Sequence, residues 1–178
     1  MMDGKSQVPG GRTLVLVTVE RTALCPRTLP EMLTWCQSPQ SRAHWPGVER
    51  IRWDDTNVLP RLYYEVHITA PGAPEAVASV EEHMCRPEED DAGIFFESAQ
   101  LWNWPTPHVA GCWATYRFSE VEGGTRFDFL FRYLLPDLGG VDVFRRARFS
   151  QSIARAVELY VERVTHAGVA LDPVPSGR

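Results

Sequence analysis

The last third of the chain changes its hydrophobic rhythm twice, and each change marks an element. From Cys112 to Phe118, the residues Ala114, Tyr116 and Phe118 share one parity. Glu122-Gly123-Gly124 breaks that pattern, and Phe127, Phe129, Phe131 and Tyr133 follow at period two with Arg126, Asp128 and Arg132 among the alternate positions. Alternation around a Gly-Gly break predicts an antiparallel hairpin with one apolar and one wet face. Past Pro136 and Gly139-Gly140 the period lengthens. Phe149, Ile153, Val157, Tyr160 and Val164 recur at three- and four-residue steps, which predicts one long helix over residues 141–166. An apolar sheet face followed by a single amphipathic helix predicts a sheet folded around that helix, with a cavity between the two.

The earlier part of the chain alternates strands with turn residues. Residues 13–21 (TLVLVTVER) are rich in β-formers and read as a first strand. A short helix is expected over 26–36, opened by Thr28 or the adjacent Arg27, with Pro30 and Glu31 in its first turn and Ser38-Pro39 at its end. Residues 40–44 read as a further helical turn, stopped by Trp45-Pro46-Gly47 because the residue before a proline avoids the α region. Strands are expected at 48–53, 61–69, 75–86 and 94–102, although Ala and Glu in the third of these also suit a helix. Asp54-Asp55-Thr56-Asn57 and Pro71-Gly72-Ala73-Pro74 read as turns, residues 87–93 as an acidic loop, and Trp104-Pro105-Thr106-Pro107 as a stiff connector. Strand, two short helices, six strands and a long helix make an α+β order, with helices segregated from an antiparallel sheet.

Composition narrows the function. A chain of 178 residues, 44% of them hydrophobic, is enough for one domain with a real core, placed at 13–166 between loose tails at 1–12 and 167–178. The net charge is −5, and the basic residues are scattered apart from Arg145, Arg146 and Arg148 in the expected helix. That run reads as a solvated helix face, so nucleic acid is not an expected partner. Four cysteines, at 25, 36, 85 and 112, form no CxxC pair and have no histidine at zinc-finger spacing. Free thiols, no signal peptide and no apolar run of about 18 residues lead to the expectation of a cytoplasmic protein without a membrane span. The acidic run Glu88-Glu89-Asp90-Asp91 lacks the spaced ligands of a calcium loop, and no HxxxH or HxxE pair lies on a helix. Neither a Rossmann glycine fingerprint nor a P-loop nor a Gly-x-Ser-x-Gly elbow is present. No metal and no cofactor are therefore expected.

Three local features, taken with the element order, carry a resemblance. His44-Trp45-Pro46-Gly47-Val48 is similar to a Trp-Pro entry into a second strand, of the WP-x-x-V kind but one residue shorter. Tyr116-Arg117-Phe118 followed by Glu122-Gly123-Gly124-Thr125-Arg126 is similar to a GGTR hairpin, and a closing helix follows a Pro/Gly break. Together they resemble the START-like helix-grip superfamily, and within it the polyketide cyclase/dehydratase group, over about residues 13–166. The resemblance implies a curved antiparallel sheet wrapped around a C-terminal helix, with a deep apolar pocket between them. It also implies a ligand that is lipid, hormone, aromatic or polyketide in kind.

Candidate residues follow from that pocket. Tyr64, Phe96, Trp102, Tyr116, Phe127, Phe129 and Phe131 are expected to line it, joined by Tyr160 from the helix, with plain core filling as their other reading. Trp102-Asn103-Trp104-Pro105-Thr106-Pro107-His108 is the most unusual local composition, a stiff aromatic loop suited to stacking a flat ligand at a pocket mouth. His108, His83, Glu97 and Tyr64 are the candidate acid/base groups, since enolisation and aldol closure move protons near neutral pH and a carboxyl group in an apolar cavity has a raised pKa. Phe95 and Phe96 are adjacent, so parity does not say which face of their strand is inside.

The leading expectation is a cofactor-independent cyclase or aromatase that templates ring closure of a polyketide-like chain carried on an acyl carrier protein, working as a monomer or homodimer. Holding a flexible chain in a near-reactive shape removes part of the entropic barrier, so few catalytic groups are needed. The alternative is a non-catalytic carrier or sensor of a lipid or aromatic molecule. A polar group pointing inward beside a tyrosine favours the enzyme, and a purely aromatic interior favours the carrier. An interaction domain with a large exposed apolar patch is a third class.

Overall fold

The computed structural model describes residues 5–7, 13–54, 61–68, 76–103, 111–136 and 143–166. Two short strands, β1 (Lys5–Gln7) and β6 (Glu88–Asp90), accompany seven longer ones. These are β2 (Thr13–Cys25), β3 (Val48–Asp54), β4 (Arg61–Ile68), β5 (Ala76–Met84), β7 (Gly93–Asn103), β8 (Gly111–Val121) and β9 (Gly124–Pro136). The helices are α1 (Leu29–Gln37), α2 (Pro39–Arg42) and α3 (Val143–His166). All strands belong to one antiparallel sheet in the order β1-β2-β9-β8-β7-β5-β4-β3, with β6 pairing beside β7.

The hairpin expected from the Gly-Gly break is β8–β9, closed by Val121 opposite Gly124. Gly123 and Gly124 have φ of 88° and 148°, where only glycine is at ease, and a Cβ on Gly124 would stand 2.1 Å from the Cys25 carbonyl oxygen. Period two puts Phe127, Phe129, Phe131 and Tyr133 on one face, and all four are buried. The period-3.6 stripe of α3 buries Val157, Tyr160 and Val164 completely and Phe149 and Ile153 in part, against the same face. Each fully buried side chain of this kind contributes about 1.5–3 kcal/mol. This is the helix-grip arrangement: a curved sheet around one long C-terminal helix.

Four elements differ from the expectation. β2 runs on to Cys25, because Ala23 and Cys25 keep the alternation and pair with Phe127 and Thr125 of β9. α1 therefore starts later, at Leu29, where the Glu31 carboxylate accepts from both the Thr28 N–H (2.9 Å) and the Thr28 hydroxyl (2.8 Å). The acidic stretch expected as a loop contains strand β6. Its Asp90 is held by Arg117 (Nη2 to Oδ2, 2.9 Å), and that guanidinium lies 4.8 Å from the Phe95 ring centroid. Within the stretch expected as an N-terminal tail, Lys5–Gln7 pairs with the start of β2.

Candidate functional site

The interior of the grip is an aromatic layer with a polar seam. Tyr116 stacks on Phe96 (centroids 4.5 Å apart, 7° between planes) and meets Phe129 edge-on at 4.9 Å. Tyr160 of α3 lies 5.3 Å from Phe129, so Phe129 touches both tyrosines. Tyr160 also stacks on the Trp45 indole at 4.6 Å and 14°. Trp45 is half-buried, stands just before Pro46-Gly47, and also reaches Phe131 at 5.5 Å.

The seam is built on Arg42, the last residue of α2, and Glu82 of β5, both with fully buried side chains. The guanidinium grips the carboxylate through Nη2 (2.7 Å to Oε1) and Nε (3.0 Å to Oε2). Nη1 donates to the Cys36 carbonyl and the Ser41 hydroxyl, each at 2.6 Å. The Tyr64 hydroxyl donates to the same carboxylate at 3.0 Å. Burial opposes the Arg42 charge, but the charge and hydrogen bonds of Glu82, with Tyr116 and Tyr160 beside it, together outweigh burial and hold its pKa above the ordinary value. Burial, reinforced by Glu82, pushes the Tyr64 phenol well up, and burial does the same to Tyr116 and Tyr160 against the pull of Arg42. All three phenols are neutral donors at ordinary pH.

Several buried hydroxyls of the interior lack a hydrogen bond of ordinary geometry within the protein. Tyr116, Tyr133 and Tyr160 are all buried, yet none of their hydroxyls makes such a bond, and the same holds for the Ser98 hydroxyl and the Trp45 indole N–H. The Tyr116 side chain is near enough to the Tyr160 hydroxyl to draw its pKa down, without a bond of ordinary geometry between the two. The Arg42 guanidinium stands 5.0 Å from the Tyr116 ring centroid.

The expected site residues divide between the two faces. Tyr64, Phe96, Tyr116, Phe127, Phe129, Phe131 and Tyr160 are all buried inside. Trp102 shares their parity but is half-buried, and its indole N–H donates to Gln100 at 3.1 Å. Glu97 and His83 are corrections, since both stand on the outer face. Phe96 and Ser98 are the inward neighbours of Glu97, whose carboxylate binds Arg132 (3.0 Å) and Thr115 (3.1 Å) outside. Glu82 and Met84 are the inward neighbours of His83, whose Nε2 lies 2.7 Å from Glu81. Trp104 and His108 lie outside the described residues. Among the described residues no cluster of three or more His, Cys, Asp or Glu is placed to hold a metal, and no helix is long and apolar enough to cross a membrane.

Neither Arg42 nor Glu82 stands out in the sequence. Glu82 had one available signal: it shares parity with Ala78, Val80 and Met84 in β5. A concavity of about 560 Å³ opens where β3, β4, β5 and β7 meet, with Arg52, Tyr63, Tyr64, Glu65, Glu81 and Trp102 among its lining. Its carboxylates are already paired, Glu65 with Arg50 (3.2 Å) and Glu81 with Arg61 (3.6 Å) and His83. The interior, with its unpartnered donors, is the better candidate.

No protein-family model matches the chain, and no curated protein matches it by sequence. Solved structures do. The di-domain aromatase/cyclase StfQ of the steffimycin biosynthetic pathway superposes with a TM-score of 0.61 at 10% identity, covering 84% of this chain and 50% of StfQ. The chain thus spans half the length of that protein. TTHA0849 of Thermus thermophilus gives 0.55 at 16% identity, covering 85% of this chain and 99% of that one. The Zhui aromatase/cyclase from a Streptomyces species gives 0.51 at 14% identity, covering 86% and 98%. At such identities the likeness is one of architecture, and it agrees with the sheet order, the hairpin and the closing helix: this chain has the helix-grip fold, as the aromatase/cyclases do.

Proposed function

We propose that the protein binds a hydrophobic, polyketide-like molecule between sheet and α3 and directs its ring closure. The observation that carries this reading is Glu82, the one carboxylate buried in the interior among the described residues, facing inward beside Tyr64 and held by Arg42. A wholly aromatic interior would serve a carrier. A carboxylate, a guanidinium and three neutral phenols within an apolar layer serve a reaction that moves protons between carbon and oxygen. The aromatic rings would bury the chain and hold it in a near-reactive shape. Tyr64, in contact with the Glu82 carboxylate, would exchange a proton with the substrate and with Glu82. Trp45, half-buried and stacked on Tyr160, is the proposed way in: moving that one indole uncovers Tyr160, Phe129 and Phe131. The fold shared with StfQ and Zhui, both aromatase/cyclases, supports the reading.

One observation favours the carrier instead. Arg42 has nearly all its donors committed to Glu82, Cys36 and Ser41, as a purely structural pair would. Turnover decides between them. A poly-β-ketone thioester incubated with the wild type should cyclise to one product pattern. Glu82→Gln should lower turnover per folded molecule by ~100-fold or more with binding retained. Binding without any wild-type turnover establishes the carrier.

A further inference from the structure

The Tyr116 and Tyr160 hydroxyls, like that of Tyr133, are buried without a hydrogen bond of ordinary geometry, so the fold gives little reason for them to be hydroxyls. A phenylalanine would fill either position with the same ring, and the neighbouring positions Phe96, Phe118, Phe127, Phe129 and Phe131 are phenylalanines. Leaving a buried donor unmet destabilises the fold, and these two phenols, within reach of each other but without a well-formed bond, point to a partner supplied from outside the protein. Both rings are held in place. Tyr116 is stacked on Phe96 and Tyr160 on Trp45, with Phe129 in contact with both. The hydroxyls therefore cannot swing away to find water, and they form a pair of fixed donors whose orientation is set before anything binds. The Trp45 indole, stacked on Tyr160, carries a buried N–H that is likewise without a partner.

We propose that Tyr116 and Tyr160 form a two-donor seat for a single carbonyl or enolate oxygen of the bound molecule, and that this oxygen, rather than the hydrocarbon, fixes the pose. The inference rests on the interior-binding reading above and specifies its ligand class: flat ketones and phenols, as opposed to hydrocarbons. Arg42, with its charge beside the Tyr116 ring, strengthens the seat for an oxygen that carries negative charge. A ligand without an acceptor oxygen would leave both hydroxyls unmet, which is how a buried polar site rejects an analogue lacking the matching group.

The test uses two bicyclic probes that differ by one oxygen, α-tetralone and tetralin, titrated calorimetrically into the full chain. The wild type should bind the ketone about tenfold or more tightly than the hydrocarbon, a difference of about 1.4 kcal/mol. Tyr116→Phe and Tyr160→Phe should each reduce that preference towards parity while leaving tetralin affinity unchanged. Without probe, both variants should melt at or above the wild-type temperature, because each loses an unmet hydroxyl. Tyr133→Phe, which removes a buried hydroxyl elsewhere in the core, should leave the preference intact. Equal affinities for the two probes in the wild type, or a preference that survives both substitutions, overturn the seat and leave interior binding standing. Failure of both probes to bind overturns the interior reading and the seat with it. Should a variant fail to fold, the wild type alone decides. The carbonyl stretch of bound α-tetralone should shift to lower frequency than in an apolar solvent, and an unshifted band removes the seat.

Discussion

Arg42 and Glu82 face each other inside the grip with Nη2 2.7 Å from Oε1 and no solvent exposure on either side chain. A buried pair of this kind contributes little over a well-packed apolar pair, yet breaking it is costly, because the survivor keeps its charge in a dry interior. Glu82→Ala should therefore destabilise the protein by about 3–5 kcal/mol in urea unfolding. The joint replacement Arg42→Met with Glu82→Leu should cost less than either single change. Losses that simply add would contradict the coupling.

The buried phenols make stability depend on alkaline pH. Burial raises Tyr64, Tyr116, Tyr133 and Tyr160 above the ordinary value of 10.0. The folded chain thus keeps these protons where the unfolded chain gives them up, and stability falls as pH rises between the two values. The denaturant midpoint should be insensitive to these groups below about pH 10 and drop steeply above it. Tyrosinate absorbance equivalent to four of the five tyrosines should arise together with unfolding. A gradual rise ahead of unfolding would contradict their burial.

Thiol reactivity should be just as uneven. Cys25, Cys36 and Cys112 are buried and Cys85 is exposed. Burial raises the Cys25 and Cys112 thiols and pushes Cys36 up to about 12, so none of the three is a ready thiolate. A disulfide reagent added to native protein should modify one cysteine, Cys85, with the other three appearing only in denaturant. Rapid native modification of Cys36 would show that α1 opens readily.

The β8–β9 turn offers a matched pair of glycines. Gly124→Ala meets the Cys25 carbonyl at 2.1 Å and forces the hairpin away from β2, whereas a Cβ on Gly123 meets nothing within 4 Å. Gly123→Asn should cost at most about 1 kcal/mol, while Gly124→Ala should cost about 3 kcal/mol or more through strain and lost pairing. Thermal melts of the two variants compare them directly, and equal losses would contradict the close approach.

The legible part of this fold is the part written in periods. Phe127 to Tyr133 and Phe149 to Val164 declare a strand face and a helix face without help from the rest of the chain. Thr28 and Glu31 declare a helix start, although β2 persists to Cys25 because its partner residues Thr125 to Phe127 lie a hundred positions away. Short strands such as β6 have too few residues for a period, and their pairing is set by tertiary neighbours, here Phe95 and Arg117. The site was less legible for a related reason. Alternation says that Glu82 and His83 face opposite ways but not which of them faces inward. That is decided by the ladder, where Glu82 stands opposite Leu62 and His83 opposite Arg61. Arg42 gives no signal at all, since a short polar turn ordinarily lies in water.

The pairing of β2 with β9 joins the earliest long strand to the latest, and Thr22 donates to Asp128 across 106 residues. During synthesis, β2 leaves the ribosome with its apolar residues Val17 and Val19 uncovered, and neither β9 nor α3 exists until nearly the whole sheet has been made. The wait exposes an unpaired strand edge and a greasy face for much of the time translation takes, a setting in which strands find wrong partners. Refolding meets the same problem as a long loop that must close before its contacts can form, which slows it relative to a helical protein of this size. A circular permutation opened elsewhere in the chain would bring β9, α3 and β2 close together in the order of synthesis. The register stays the same, and only the order in which the neighbours meet is altered.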